Sequence, residues 1–591
     1  MIRQLLNTYK VPLLLTLLLA VIHFSSKDFT NPYERPIAGD AQAYYAYLPA
    51  LFIYQDLDYS FTKEMNEKYY PPNYGKSFVK EVEGGEKVNK TFPGVAILYA
   101  PFFFMAHAIA LIFDLDADGY SNIYQFFFLF GFWVYFLFGL SFYQKVLKKL
   151  GFESKLINFS MILIVLATNV FFYTIYDQSV THIHNFFLIN LLLYCLFRFK
   201  ESSRYGWIGM AVLLLALIGI TRPTNAMVVG LIFFFFPGIE FYKSLFKLLK
   251  QPLSILKTFL IGLTVFSIPF LLWKAQTGHW VVYSYGEEGF NFSNPHWREF
   301  LFSYTKGWMT YTPIVLFILI PGLVLLFMKN KKRALIAIAF YVFGIFVFSS
   351  WWCWYYGAGM SQRVMIDHYI LLGFLLILIL EKIREGKLWL KGLTALLAVG
   401  FIGLNIAQAY QIRRGIIPMG SATEEQYWDN FLNFDKKAKI YPLDHWDLEE
   451  VQELNFSPEF LPEFSLKTAE DLEGHWTIHV SSHYHFASGN SCQLKNIRKG
   501  SKLIFSFDAR SRTEAENTRL VVDLKSSENS QQKTFNITPF LKKDEWVRIE
   551  YMVEPTQLVD TVKYHFWNGG SEEKVEFRDM QIRHFFSDEY R

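Results

Sequence analysis

Residues 37–52, IAGDAQAYYAYLPALF, set one carboxylate, Asp40, ahead of a row of tyrosines just after the first apolar run of the chain. Residues at i, i+4 and i+7 of a helix share a face, so Asp40, Tyr44 and Tyr47 are expected to point one way while Leu48, Leu51 and Phe52 lie against lipid. Such a helix presents an acid at a membrane surface. Gly39 and Asp40 also stand directly before the helical run, where an N-cap would explain the acid equally well.

Three more stretches place charge at the ends of apolar runs. TRPTN holds Arg222, whose guanidinium calls for an anionic partner; a lipid phosphate gripped through two parallel hydrogen bonds is one, and snorkelling to headgroups is the alternative. WWCWYYGAGMSQRVMIDHY puts Arg363 after an aromatic, glycine-containing loop, with Asp367 at i+4 and His368 beside it. Arg363 and Asp367 either pair along a helix or face a substrate, and the loop is either an interfacial aromatic belt or a chain that approaches a sugar closely, for which glycine is needed. YDQSVTHIHNFF offers Asp177, His182 and His184. Two histidines at i, i+2 do not share a helical face, so the stretch is weak as a metal motif, and His182 is expected to cap a span or hydrogen-bond substrate. Neither a cofactor nor a metal site is expected from the residues, a divalent ion being left open; Cys195, Cys353 and Cys492 lack metal-ligand spacing.

The elements that must position these groups are membrane spans. Of 591 residues, 52% are hydrophobic, 19% aromatic and only 19% charged, a balance suited to a bilayer, and a net charge of +4 gives no argument for nucleic acid. An uncleaved N-terminal anchor and apolar runs centred near Phe130, Leu163, Leu191, Leu214, Phe233, Leu263, Phe317, Phe340, Leu375 and Leu397 make about eleven spans of about 20 residues each. Basic clusters (QKVLKKLGFESK, RFKESSR, FYKSLFKLLKQ, KNKKR, EKIREGK) follow every second span and mark the inner loops. The N-terminus is then cytoplasmic, and the stretches with Arg222 and Arg363 are outside. Residues 92–113 are apolar enough to span, but counting them would invert every later loop. They are therefore expected as a juxtamembrane or re-entrant helix within a large outer loop of about residues 25–121.

The composition turns polar near residue 455. Period-two runs such as KLIFSFDARS, TRLVVDLKSS, EWVRIEYMVE, TVKYHFWNGG and KVEFRDMQIRHF predict an antiparallel, jelly-roll-like β-sandwich of roughly eight strands over 455–591, after a linker at 411–454. An odd number of spans delivers it outside, which in a bacterial inner membrane means the periplasm.

Taken in order, GDAQAYYAYL, NKTFPGVAILYAPFF, THIHNFF, TRPTN, KGWMTYTPIVLFILIPGL and WWCWYYGAGMSQR resemble the GT-C superfamily of bacterial membrane glycosyltransferases, which includes protein O-mannosyltransferases and aminoarabinose transferases. The resemblance covers residues 1–410. It implies a polytopic all-α domain that moves a sugar, with inversion, from a polyprenyl-phosphate-linked donor to a glycan, lipid or protein acceptor outside the membrane. It matches Asp40 to the family's acidic residue of the first outer loop, expected here to act as a general base, and places Lys90, in NKTFPG, near the donor phosphate. Arg222 and Arg363 would then stabilise the leaving phosphate, with Tyr44, His182 and Asp367 lining the substrate. This chain departs from the O-mannosyltransferases in having no Asp-Glu pair at Asp40 and no double proline after Lys90, which leaves the acceptor class open. The sandwich resembles a carbohydrate-binding module, with Trp476, Tyr484 and Trp567 either sugar platforms or core aromatics. Two other classes remain: a transporter or flippase, which needs polar or broken helices at mid-membrane, and a non-enzymatic membrane anchor, for which one span suffices.

Overall fold

The computed structural model describes residues 9–27, 29, 34–70, 78–82, 85–286, 288–414, 416–417, 419–420, 422, 424–434, 449–455, 469–470, 476–480, 486–497, 501–512, 518–525, 530–555, 559–567 and 575–586. The chain divides into two compact units, residues 1–30, 34–69 and 73–410, and residues 31–33, 70–72 and 411–591.

The first unit is helical because its apolar runs can satisfy their backbone groups only internally. Among the described residues six helices are long and apolar enough to cross a membrane: Gly94–Ile112, Asn122–Lys149, His182–Ser202, Lys331–Ser349, Arg363–Arg384 and Leu388–Arg413. Two bent pairs raise this to eight, Pro223–Phe235 with Ile239–Leu248 at 116° and Pro252–Phe266 with Ile268–Thr277 at 44°. Four shorter apolar helices are Lys10–Ser26, Ser154–Leu166, Tyr205–Thr221 and Ile314–Lys329. Every run expected as a span is helical, and the unit is that of a multi-pass membrane protein. The short ones differ from the expectation in length, and proline sets two of their limits: Tyr205–Thr221 stops before Pro223 and Ile314–Lys329 starts after Pro313.

The helix Gly94–Ile112 corrects the re-entrant alternative for residues 92–113. It is continuous over 19 residues through Pro101 and does not turn back. Its rings pair antiparallel with the first half of Asn122–Lys149: Phe102 with Phe130, Tyr99 with Phe128, and Phe103 and His107 with Tyr124. A Cβ on Gly131 would meet the Phe102 ring at 2.8 Å, so glycine admits the close approach.

The stretch after the first helix folds as Asp40–Tyr45, Tyr47–Pro49, the π-turn Ala50–Tyr54 and the helix Phe61–Tyr69. Leu51 and Phe52 are exposed, but Leu48 is buried at 3% and does not face outward. An antiparallel hairpin, Val79–Glu81 with Lys87–Asn89, then delivers Lys90, whose backbone N–H donates to the Phe78 carbonyl.

In the second unit, the expected alternating runs are strands of two antiparallel sheets. One has six strands, ordered Val547–Val553, Ser501–Ser511, Val575–Phe586, Trp476–Val480 and Ala469–Glu470, with Glu449–Asn455 also on Val575–Phe586. The other is ordered Phe486–Ile497, Val559–Trp567, Arg519–Lys525 and Ser530–Asn536. Pairing therefore begins at Glu449, inside the stretch expected as linker, because its alternating EEVQELN finds an edge on the last strand. The core is aromatic: Phe566 stacks on Phe577 at 3.8 Å and meets Phe507 edge-on at 4.8 Å. Trp567 points to the opposite face from buried Phe566, under the Arg519 guanidinium at 5.1 Å. Trp476 starts a strand with its side chain outside the described residues, and Tyr484 lies outside them altogether.

Candidate active site

Asp40 is the first residue of its helix, and the N-cap position belongs to Gly39, whose φ of 55° suits glycine. No side chain caps this helix, so the cap explanation of Asp40 falls away. The carboxylate instead takes a hydrogen bond and ion pair from Arg363, Nη2 to Oδ2 at 2.9 Å across 323 residues of sequence. Asp40 is 46% exposed and Arg363 15%, so the pair sits at an opening. Oδ1 of Asp40 has no hydrogen-bond partner among the described residues.

Arg363 therefore does not pair with Asp367 along the helix. Asp367 is fully buried and spends both oxygens inward: Oδ1 accepts from His182 Nδ1 at 2.7 Å and Oδ2 from Asn225 Nδ2 at 2.7 Å. Because a carboxylate only accepts, the proton of His182 lies on Nδ1, which leaves Nε2 as an acceptor for Arg222 Nη1 at 3.2 Å. Arg222 also donates from Nε to Thr224 Oγ1 at 3.2 Å and lies 5.3 Å above the Tyr356 ring. The expectation that His182 and Asp367 line the substrate is corrected: with both nitrogens and both oxygens engaged, they stand behind Arg222 and aim it.

Tyr44 lies within electrostatic reach of Asp40, Arg222, Arg363 and Tyr285, and burial first, then Asp40, raises its phenol above the usual value. Tyr285 connects this group to Lys90, whose Nζ is 5.4 Å from its ring centre; burial pushes the Tyr285 phenol up to about 12. Lys90 is held by Glu288, Nζ to Oε1 at 2.5 Å, and Glu288 Oε2 also accepts from Trp352 Nε1 at 3.1 Å. Gly94 packs where any Cβ would be 2.5 Å from the Thr221 backbone N, so the stretch after Lys90 is seated against the residue preceding Arg222.

Sequence reading missed Lys306. It is fully buried, and its Nζ donates to Tyr173 Oη at 3.1 Å and to the carbonyls of Gly357 and Ala358 at 3.3 and 3.4 Å. Burial first, and then Arg363, hold its ammonium well below the usual lysine value. Gly359 has a φ of +128°, and a Cβ there would lie 2.4 Å from Tyr173 Oη and 3.2 Å from Lys306 Nζ. Gly359 thus admits Tyr173 and Lys306, while Gly357, at a φ of +70°, has nothing within 4 Å of where a Cβ would stand. The signals in the sequence were the isolated lysine of YTKGW and the glycine after it: a Cβ on Gly307 would meet the Ser303 carbonyl at 2.5 Å. Asp177, noted in the sequence, acts on both Lys306 and Arg363 and accepts from Ser179 Oγ at 2.5 Å.

The arrangement joins an accessible carboxylate to cations suited to an anion: Arg363 on the carboxylate, Arg222 braced from behind, and Lys90 at the rim. Among the described residues no three His, Cys, Asp or Glu side chains are grouped to hold a metal ion.

No protein-family model matches the chain. No curated protein matches it either. Among solved structures, the arabinosyltransferase EmbB from Mycobacterium smegmatis aligns with a TM-score of 0.33 and 10% identity, covering 86% of this chain and 60% of its own. A family 16 carbohydrate-binding module aligns with a TM-score of 0.17 and 8% identity, covering 20% of this chain and 88% of that one. This chain thus spans less than two thirds of the arabinosyltransferase, and likenesses at these scores carry no argument about either unit.

Proposed function

We propose that the first unit is an inverting glycosyltransferase of the GT-C type, transferring a sugar from a polyprenyl-phosphate-linked donor to a glycan, lipid or protein acceptor on the periplasmic side of a bacterial inner membrane. One observation carries this reading: the accessible carboxylate of Asp40, fixed by Arg363, belongs to the same group as Arg222, Tyr285 and Lys90. Asp40 takes the proton of the acceptor hydroxyl or amine. The freed lone pair attacks the anomeric carbon as its bond to the phosphate oxygen breaks, and the electron pair leaves on the phosphate. Arg222 and Lys90 meet that growing charge.

The choice of side is supported by the distribution of charge. The helix His182–Ser202 starts at the site and ends beside Glu201, which pairs with Lys149 at 2.6 Å. Arg363–Arg384 likewise starts at the site and ends at Arg384, paired with Glu153 at 2.6 Å. The basic ends, favoured on the cytoplasmic side, are thus a helix length from the site, about 30 Å for a 20-residue helix. The sandwich is read as an accessory carbohydrate-binding module with Trp567 on its surface.

The test is transfer by the purified protein from a polyprenyl-phosphate-linked sugar, wild type against Asp40→Asn. Transfer at wild-type rate by the variant removes Asp40 from the chemistry and with it this reading.

A further inference from the structure

A cavity of about 930 Å³ opens between the helices Val228–Phe235, Ile239–Leu249 and Lys331–Ser349, within the range of roughly 300–1,000 Å³ typical of cavities that hold small molecules. Its wall is apolar, with Met227, Phe233, Ala339 and Phe343 among the lining side chains, except at one end, where Tyr242 and Lys332 stand. The Tyr242 hydroxyl is buried without a hydrogen-bond partner among the described residues, its ring 5.8 Å from Phe233. Lys332 is exposed. Lys329, three residues before it, is paired with Glu381, and Lys243, next to Tyr242 in sequence, with Glu240, whereas Lys332 has no ion-pair partner among the described residues.

This polar end is the one away from the active site. Asn225, which binds Asp367, precedes the cavity at Met227, while Lys332 begins the helix whose other end carries Ser349. The 116° bend after Phe235 lays Ile239–Leu249 across that far end, bringing Lys243 and Lys247 with exposed Ile239 and Phe246. Apolar walls continuous with the lipid-facing surface, a vacant phenol and an unpaired ammonium among further lysines match one kind of occupant.

We propose that this cavity is a binding site for an anionic phospholipid, its acyl chain between Phe233 and Phe343 and its phosphate at Lys332 and Tyr242. The site is independent of the reading of Asp40. A ligand entering from the active-site end would carry its phosphate to Arg222 and leave Lys332 and Tyr242 without a role.

Native mass spectrometry of the full chain in detergent tests it, with phosphatidylglycerol and phosphatidylethanolamine offered at equal concentration. The expected result is a one-to-one phosphatidylglycerol adduct at least fivefold over phosphatidylethanolamine, with the preference lost in Lys332→Ala and the adduct itself lost in Ala339→Trp, which fills the cavity. Thermal unfolding of both variants, expected near wild type, confirms that they are folded. Equal retention of the two lipids by wild type, or an unchanged adduct in Ala339→Trp, overturns the proposal. So does competition by inorganic phosphate alone, which would leave the cavity without a chain, or displacement at low concentration by a polyprenyl phosphate, which would assign it to a donor.

Discussion

Asp40 and Asp367 are two carboxylates near the same end of the helical unit, each bonded to a nitrogen base, and they differ in almost everything else. Asp367 is fully buried with both oxygens spent on His182 and Asn225; Asp40 is 46% exposed and spends one oxygen on Arg363. A buried ion pair broken on one side leaves a charge or donor stranded in low dielectric, whereas an open pair is replaced by water at little cost. Residue type therefore does not assign a role here. The inner carboxylate is a positioning group that keeps Arg222 aimed, and the outer one has the freedom to take a proton.

Four substitutions break or sharpen this contrast. The largest effect is expected from Asp367→Ala, which strands His182 and Asn225 and should destabilise the helical unit by about 3–5 kcal/mol, read by thermal unfolding in detergent. An unfolding curve matching wild type would mean that the inner pair is not structural. Next comes Asp40→Asn, for which transfer should fall about a hundredfold or more while stability changes by only about 0–1 kcal/mol. Arg363→Lys keeps the charge but loses the fork that orients Asp40; a loss of about 1.5 kcal/mol, roughly tenfold in kcat/KM, is expected in the same assay. The smallest is Glu288→Gln, which releases Lys90 from a half-exposed pair worth about 0–1 kcal/mol and should lower the donor KM by less than about fivefold. A raised donor KM there would place Glu288, not Lys90, on the substrate.

Composition and period made the architecture legible. Apolar runs long enough for helices became helices around the expected centres, and the period-two runs after residue 500 became strands because Phe505, Phe507, Val522, Phe566 and Phe577 alternate inward. The site was legible as types and not as pairs. Asp40, Arg222 and Arg363 stood out because charge at the end of an apolar run needs a reason. Their partners did not, because Asp40 reaches Arg363 over 323 residues and His182 reaches Asp367 over 185, and no local spacing encodes either. Local rules favoured the wrong partner for Arg363, since Asp367 at i+4 was the obvious one. His182 looked available in sequence because spacing says nothing of what lies behind a ring. Residues 92–113 resisted for another reason: charge bias speaks of sides, while the backbone of Gly94–Ile112 obeys helix propensity and the ring packing against Asn122–Lys149.

Gly359 shows where this fold has no slack. A single methyl group at that position would have to displace the Tyr173 hydroxyl and then the Lys306 ammonium, and the polypeptide they hold leads within four residues to Arg363. On the proposed function, transfer is thus open to loss through a substitution that changes no charge and removes no donor, so the tolerance of this stretch is set by volume.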